Sequence, residues 1–518
     1  MSLALAMWVA ALAGFLSLSY EILWYRAYAF VSEGSPAAFG LMLGAFLLGI
    51  AAGSLASWLW CRDGAASGDR TRLPPIAAFV LCANLASFAV IPALARIAVV
   101  ANWRWSLVLV GVAAGLMGAT LPLVSHFGIS PDARAGSRLS YIYGANIVGS
   151  TCGSLLTGTV LLNGLSLART ANVLAVLGLA LATAVLLLSP MGRLARGLAG
   201  IGLLGLSTGV TLATPAIHSQ VYERMFDKAE YTADHPFAEI LENRHGVITV
   251  RDGKVYGGGA YDGAFNTGLD DDKNSVYRTY LIASMRPAAG KVLMIGLASG
   301  SWAQVLAHMP GLDKMTVVEI NPGYLDLIRG RPEVRGVLSH PKVEVVIDDG
   351  RRWLARHPQE KFDLVVMNTT WHYRAHITNL LSREFLQMIR ASLRPGGMLY
   401  FNTTGSLEAM KTSLAVFAHG VRVFNFMAVS DSPLWPDGAR FREAITGWQI
   451  EGKPVLDLSL PAHRARLDSL LGLIDTVNHP PVTLGLEGSD SLRVRLASTA
   501  VITDDNMYSE WFPLEPPP

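Results

Sequence analysis

The sequence is poor in charge and in cysteine. Of its 518 residues only 16% are charged, whereas 51% are hydrophobic, so the chain is too apolar for a purely soluble protein. The net charge of +2 gives no bulk attraction to nucleic acid, and we expect no nucleic-acid partner. The three cysteines, Cys61, Cys82 and Cys152, all lie in the apolar half, and their number and placement indicate neither a disulfide framework nor a zinc site.

Long apolar runs fill roughly the first 215 residues. Seven of them are long enough to cross a hydrocarbon layer of about 30 Å. They lie near residues 3–24, 37–60, 75–99, 105–127, 141–163, 167–189 and 194–215. The first run has no basic residues ahead of it, and Tyr20, Glu21 and Trp24 do not fit a cleavage site, so we expect a retained helix. Residues 1–215 are therefore predicted to form an α-helical transmembrane domain in a lipid bilayer.

Two features of this apolar part bear on its function and its packing. Glu21 lies within or near the end of the first run, where a carboxylate is unfavourable unless it is paired or faces a polar cavity. It is either a substrate or proton site, or an interfacial side chain in an aromatic belt. The fifth run carries regularly spaced glycines, which favour close helix packing. These glycines are Gly144, Gly149, Gly153 and Gly158.

The composition changes after about residue 216. Residues 216–240 read as a linker or interfacial segment, and the alternating segment 245–263, with its Asp-Gly turns, predicts a β-hairpin. Strands are predicted at 291–296, 315–320, 343–348, 363–368 and 397–402, with helices between them, for example 301–309, 322–329, 351–356 and 383–393. This alternation predicts an α/β Rossmann-like domain over residues 241–518, with its ligand at the carboxyl ends of the strands.

Three consecutive strand ends carry residues that fit a nucleotide-like cofactor. Gly296 and Gly300 flank the first turn and let a ligand approach the backbone near a helix N-terminus. Glu319 follows roughly twenty residues later, where an acid accepts hydrogen bonds from ribose hydroxyls. Asp348 and Asp349 end the third strand, where an acid can accept from an adenine amino group. Helix capping by Asp349 would explain one of these acids, but not the whole series.

This ordered set resembles the adenosylmethionine-type Rossmann fold. More narrowly, residues of about 240–405 look like the spermidine synthase, or polyamine aminopropyltransferase, family, on the segments YRTYLIASMRP, VLMIGLASG, VVEINP, VVIDDGRRWL, FDLVVMNTT and LRPGGMLYFN. The segments SLSYEILWYR, YGANIVGSTCGSLL and VITDDNMYSEW are similar to those of fused, multi-span membrane proteins that carry such a domain. The resemblance implies S-adenosylmethionine or decarboxylated S-adenosylmethionine as cofactor.

The sequence departs from the family on the acceptor side. Ser299 stands where the family has an Asp that contacts the amine of the decarboxylated cofactor, and a serine offers no countercharge. Asn368 and Thr369 replace an Asp that helps to bind and deprotonate the attacking amine. Tyr277 is followed by Arg278–Thr279 where the family has His-Glu. We therefore expect a nucleoside site that is kept, lined by Gly296, Ser299, Gly300, Glu319, Asp348, Asp349 and Asn368, and a polyamine site that is rebuilt.

Other polar side chains crowd the acceptor side. His372 or His376 can serve as a base near neutral pH, and Arg374 can clamp an anionic group, although the segment also reads as a structural loop. Asp262 and the acidic run Asp270–Asp272 can cover the site or attract a cation, or form a solvated loop. The candidate catalytic residues are His372, Arg374, His376 and Tyr277.

Three functions stay open at this point. The first is a membrane-bound, spermidine synthase-like transferase that acts on an amine or another nucleophile. The second is an S-adenosylmethionine-dependent methyltransferase, and the third is a transporter or sensor whose domain binds a nucleoside without turnover. The expected partners are the lipid bilayer and a small-molecule acceptor, with a homodimer as an open option.

Charge alone does not set the orientation in the membrane. Seven basic residues lie in the loops on the side of the N-terminus, and six lie on the other side when the stretch after the last apolar run is included. This count favours an external C-terminal domain by one residue. An odd number of spans places the termini on opposite sides, and an adenosyl cofactor is made and kept in the cytoplasm. We therefore predict a multi-pass protein of the cell inner membrane with a cytoplasmic C-terminal domain.

Overall fold

The computed structural model describes residues 2–61, 73–286, 288–368, 371–478, 485–507 and 510. Thr369, and residues 508, 509 and 511 of the segment VITDDNMYSEW, lie outside the described residues. The chain divides into two compact units, which we call the helical unit and the α/β unit. The helical unit comprises Met1–Glu33, Ala37–Phe237 and Glu242–Val247, and the α/β unit comprises Gly34–Pro36, Ala238–Leu241 and Ile248–Pro518.

Within the described residues, seven helices are long and apolar enough to cross a membrane, which confirms the predicted helical domain. They are Leu3–Val31, Pro36–Ala56, Leu73–Val100, Trp103–Gly128, Ala135–Gly164, Leu167–Leu187 and Arg193–Ile217. The first helix runs past the predicted end at residue 24 because Tyr28 and Val31 remain buried with Leu23 and Trp24. Glu21 therefore lies within this helix, where its side chain is partly buried.

The first and fifth of these helices touch backbone to backbone. A Cβ atom added at Gly149 would lie 1.8 Å from the carbonyl oxygen of Ala11, and one added at Gly153 would lie 2.2 Å from that of Phe15. Distances this short leave no room for any side chain. Two of the four glycines in the sequence pattern thus create the close approach that the pattern predicts.

Buried hydrogen bonds also join helices of this unit. The Asn146 amide donates to the carbonyl oxygen of Ala10 at 3.0 Å. The Tyr20 hydroxyl donates to the side-chain oxygen of Asn84 at 3.0 Å, and the Asn84 amide donates onward to the carbonyl oxygen of Ala175 at 2.7 Å. Polar side chains between membrane helices commonly stabilise the bundle in this way.

A small antiparallel sheet precedes the main sheet along the chain. Its strands are β1 (Glu239–Asn243), β2 (Gly246–Arg251), β3 (Lys254–Gly257) and β4 (Ala260–Ala264), in the order β1-β2-β3-β4. The predicted hairpin is confirmed as β2 and β3, which pair from Ile248↔Gly257 to Arg251↔Lys254. The sheet extends beyond the hairpin because Gly258 and Gly259, at φ +56° and +84°, form a second tight turn into β4.

The strands of the main sheet are β5 (Lys291–Ile295), β6 (Lys314–Glu319), β7 (Val343–Ile347), β8 (Phe362–Met367), β9 (Leu393–Asn402), β10 (His419–Val423), β11 (Phe426–Ser430) and β14 (Leu486–Gly488). Among the described residues, their order in the sheet is β14-β10-β11-β9-β8-β5-β6-β7. Strands β5 to β9 pair in parallel, as predicted, and β11, β10 and β14 continue the sheet in antiparallel fashion. Two short strands, β12 (Gln449–Ile450) and β13 (Lys453–Pro454), pair separately.

Helices connect the strands of this unit. They are Tyr277–Tyr280, Ile282–Met285, Ser301–Ala307, Gly323–Arg329, Gly350–Arg356, Thr378–Leu381, Arg383–Ser392, Leu407–Val416, Gly438–Gly447, Pro461–Asp475 and Ser489–Arg495. The residues of β5 are buried on both faces of the sheet, as expected for a central parallel strand. Since β5 lies between β6 and β8, the strand order reverses there, and a crevice forms at the carboxyl ends of β5 and β8.

Three of the four glycines of the fifth apolar helix provide a matched test of packing. We expect Gly149→Ala and Gly153→Ala to lower the thermal unfolding midpoint in detergent, because overpacking costs about 1–3 kcal/mol. Gly144→Ala is the control, because no described atom lies within 4 Å of its added Cβ and alanine is the better helix former. A midpoint that moves in the same direction in all three variants would contradict the packing described.

Candidate functional site

The turn after β5 forms the floor of the crevice. Gly296, Ala298 and Gly300 all have positive φ angles, of 89°, 49° and 78°. The Gly296 N–H donates to the carbonyl oxygen of Val318 at 2.9 Å, and a Cβ added at Gly296 would lie 3.0 Å from the carbonyl oxygen of Asn368. The turn therefore lies against the ends of both β6 and β8, and glycine is the residue that permits this approach.

Glu319, the last residue of β6, fixes this turn. Its side chain is buried, and its two oxygens accept the N–H groups of Leu297 and Asn321, each at 2.7 Å. Burial raises the pKa of the Glu319 carboxyl above its ordinary value, and the hydrogen bonds from the backbone oppose that rise. The backbone of Ala298 is a third hydrogen-bond donor to this carboxylate, and because a carboxylate has about four acceptor positions, capacity remains for a ligand hydroxyl.

The two acids after β7 have different local roles. Asp349 caps the helix Gly350–Arg356, where its Oδ1 accepts the N–H of Arg352 at 2.7 Å. Asp348 forms ion pairs with Arg352 and Arg356. Partial burial acts to raise the pKa of Asp348, but the hydrogen bond and charge of Arg352 hold it below its usual value.

Glu319 and Asp348 are brought together by the sheet. The Asp348 N–H donates to the main-chain oxygen of Glu319 at 3.1 Å, which continues the ladder between β6 and β7. The glycine turn, Glu319 and the acid pair thus occupy adjoining strand ends. This order matches the one predicted from the sequence, with a ribose at Glu319 and an adenine at the acid pair.

Next to the turn lies a cavity of about 230 Å³. The lining residues come from β4, from the helix Tyr277–Tyr280 and the segment before it, from the glycine turn and the helix after it, from the ends of β8 and β9 and the residues that follow them, and from the turn between β10 and β11. They are Tyr261, Asp262, Gly263, Asn274, Arg278, Ala298, Trp302, Asn368, Trp371, Asn402, Thr404 and Asn425. Amides and aromatic rings dominate this lining. Its charged members within the described chain are one carboxylate and one guanidinium.

Asp262 is the carboxylate of the cavity, and it already has partners. The Tyr324 hydroxyl donates to its Oδ2, and the positive charge of Arg374 acts on it. Burial raises the pKa of Asp262, whereas Arg374 and Tyr324 favour its ionised form. The predicted clamp Arg374 therefore acts on the cavity through Asp262.

Ser299, which replaces the family's acid, has a structural position. Its side chain is buried and its Oγ donates to the Oγ of Ser301 at 3.2 Å. A Cβ added at Gly263 would lie 2.8 Å from the Ser299 Oγ, so the serine packs directly against β4. The Ser301 Oγ donates to the carbonyl oxygen of Ala264 at 2.5 Å. These hydroxyls join the glycine turn to the small sheet.

The four candidate catalytic residues are not among the described lining residues of the cavity. The Nδ1 atom of His372 is 2.7 Å from the hydroxyl oxygen of Thr404, which does line the cavity. Burial lowers the pKa of His372, so that the ring is neutral near pH 7. His376 has φ +70°, and its N–H donates to a carboxylate oxygen of Glu510 at 3.0 Å. Tyr277 packs its ring edge against Phe424, with ring centres 5.6 Å apart.

Sequence reasoning missed several of the lining residues. In the sequence, Arg278 stands out only because it takes the place of a histidine that the resemblance implies. Its position in the cavity lining follows from the structure. Asn274, Asn402 and Asn425 lie far apart in the chain, so no local pattern marks them. Glu21 belongs to the helical unit and is not part of this constellation.

The chain is similar to several known proteins. The family model described as a methyltransferase domain matches residues 292–397. The polyamine aminopropyltransferase of Mycobacterium tuberculosis (strain H37Rv) is 30% identical over 306 residues, which are 55% of this chain and 56% of that protein. That of Corynebacterium efficiens is 25% identical over 331 residues, 60% of this chain and 61% of that protein. Spermidine synthase from Thermotoga maritima has a TM-score of 0.33 and 16% identity, covering 46% of this chain and 89% of that one.

The chain spans a little over half the length of the curated relatives it matches. Within its described residues, the chain combines a spermidine synthase-like α/β domain with seven helices that are apolar and long enough to cross a membrane. The resemblance predicted from the sequence is thereby confirmed.

The capping role of Asp349 can be separated from any role in ligand binding. We expect Asp349→Ala to speed amide hydrogen exchange in the helix Gly350–Arg356, because loss of an N-cap costs about 1 kcal/mol. Asp349→Ser should keep the slow exchange of the parent chain, since serine caps almost as well. Mass spectrometry of the peptide that covers this helix provides the measurement, and equal exchange in all three chains would show that the cap is unimportant.

Proposed function

We propose that the α/β unit is a transferase that uses S-adenosylmethionine or decarboxylated S-adenosylmethionine to alkylate a small nucleophile, an amine or a lipid-phase molecule. The observation that carries this proposal is the position of Glu319. Its buried carboxylate holds the glycine turn at the point where the strand order reverses, beside a cavity of about 230 Å³. In this proposal Glu319 accepts the ribose hydroxyls, and Asp348 or Asp349 accepts the adenine amino group.

The residues of the cavity then position the acceptor and take up its proton. The bound cofactor supplies a sulfonium that makes the neighbouring carbon electrophilic, so orientation of the nucleophile can provide much of the acceleration. Trp302, Trp371 and the asparagine side chains hold the acceptor. Thr404 lines the cavity and contacts His372, so its hydroxyl can pass the acceptor's proton to the neutral imidazole.

Methyl transfer is the second candidate reaction. The matching family model is described as a methyltransferase domain, and its match covers β5 to the start of β9, where the glycine turn, Glu319 and the acid pair lie. Ser299 and Asn368 also stand where an aminopropyltransferase has acids that bind amines. An amine that carries several positive charges meets a single carboxylate, Asp262, in the described lining of the cavity.

The helical unit defines where this chemistry takes place. We propose that its seven apolar helices hold the chain in the cell inner membrane, with the bilayer as partner. An adenosyl cofactor is made in the cytoplasm, and the α/β unit is therefore proposed to face that side.

Removal of the Glu319 carboxylate tests the cofactor site. We expect Glu319→Ala to weaken binding of S-adenosylhomocysteine and methylthioadenosine by on the order of 2–3 kcal/mol, because two hydroxyl hydrogen bonds to a charged acceptor are lost. Isothermal calorimetry gives the affinities. Glu344→Ala, which removes an exposed acid from the neighbouring strand β7, is the matched control. An unchanged affinity in Glu319→Ala would refute the assignment.

Ordinary polyamine synthesis tests the acceptor side. We expect little or no spermidine from decarboxylated S-adenosylmethionine and micromolar putrescine, because Ser299 and Asn368 replace the expected acids and Arg278 adds a positive charge. Mass spectrometry of the reaction with purified full-length protein measures the product. Robust spermidine formation would mean that the polyamine site is intact.

A further inference from the structure

Arg278 is the guanidinium in the described lining of the cavity, and the acceptors of its described hydrogen bonds are uncharged. Its Nε donates to the carbonyl oxygen of Ser275 at 3.0 Å, and its Nη2 donates to that of Asn274 at 3.4 Å. Its Nη1 donates to the side-chain oxygen of Asn425. The guanidinium carbon also lies 5.1 Å from the centre of the Phe426 ring. These contacts fix the group at the cavity wall, but none of its acceptors carries a countercharge.

Among the described residues, no ion pair joins Arg278 to Asp262, the other charged residue of the lining. Asp262 receives the hydrogen bond of Tyr324, and the positive charge that acts on it is that of Arg374. A partly buried guanidinium that is held only by neutral oxygens retains its attraction for an anion. A planar carboxylate matches the donor geometry of arginine better than any other common small-molecule anion except phosphate.

The glycine turn connects this charge to the proposed cofactor position. The Leu297 N–H donates to Glu319, and the next residue, Ala298, lines the cavity. An adenosyl group with its ribose at Glu319 would therefore direct its sulfur substituents across the turn into the cavity. Both the amino-acid tail of the cofactor and the acceptor would then lie within reach of the same wall.

We propose that Arg278 binds a carboxylate in this cavity, and so selects a carboxylated ligand over a polycation. The inference rests on the proposed function, because it takes the cavity to receive the sulfur substituents and the acceptor. The carboxylate belongs either to the methionine tail of S-adenosylmethionine or to the acceptor molecule. In either case, the charge preference of the site is the opposite of that required for a polyamine.

The two cofactor forms provide the first test, because they differ only in the carboxylate. If the carboxylate is that of the methionine tail, calorimetry on the full-length protein in detergent should show S-adenosylmethionine binding about 10- to 100-fold more tightly than its decarboxylated form. Arg278→Gln should abolish this preference by weakening S-adenosylmethionine alone, and Arg278→Lys should retain part of it. The control Arg394→Gln removes the same charge from an exposed ion pair with Asp363 and should leave the preference unchanged.

A second titration identifies the source of the carboxylate. With methylthioadenosine bound, glutarate and putrescine are titrated into the parent chain and into Arg278→Gln. If glutarate binds to the parent chain and not to Arg278→Gln, the proposal is supported and the carboxylate belongs to the acceptor. If tighter binding of S-adenosylmethionine than of its decarboxylated form is lost in Arg278→Gln, the proposal is supported and the carboxylate belongs to the methionine tail. Equal affinity for both cofactor forms, together with no Arg278-dependent glutarate binding, overturns the inference and leaves the proposed function standing. Failure of every adenosyl ligand to bind refutes the proposed function and this inference together.

Discussion

The α/β unit depends on one buried carboxylate. Glu319 holds the N–H groups of Leu297 and Asn321 at 2.7 Å, and so ties the glycine turn to the end of β6. Loss of that constraint would free the turn, and with it the contact between Gly296 and the end of β8. Burial makes the ionised form costly, and the protein recovers part of that cost through backbone donors. In the proposed function, this fixed carboxylate also accepts the hydroxyl groups of the ligand.

The two sides of the crevice, which the proposed function assigns to the nucleoside and to the acceptor, differ in the charge of their side chains. On the nucleoside side, carboxylates sit at successive strand ends, and those of Asp348 and Asp349 are already oriented by Arg352. On the acceptor side, amides and aromatic rings replace acids, and the guanidinium of Arg278 faces the cavity. In the proposed function, this contrast is the reason why a domain that is similar to aminopropyltransferases would bind the same kind of cofactor and a different class of acceptor.

The fold was predictable from the sequence because hydrophobic periodicity and glycine turns act locally. The strands β5 to β8 and the turn at Gly296–Gly300 follow from such patterns, as do the seven apolar helices. The cavity was not predictable, because Asn274, Asn402 and Asn425 meet only through the sheet order. The glycine pattern of the fifth helix likewise predicts close packing, but only the structure shows that Gly149 and Gly153 provide it.

The most direct test of the central claim is the identity of the nucleoside product. Purified full-length protein is incubated with each cofactor form and an extract that contains cytosolic small molecules and membrane lipids. The nucleosides are then separated by chromatography and identified by mass spectrometry. A transferase will release methylthioadenosine or S-adenosylhomocysteine: the first indicates alkyl transfer or elimination, the second methyl transfer. Glu319→Ala will release neither. Tight binding of both cofactors with no nucleoside product would contradict the account and identify the α/β unit as a binding domain without turnover.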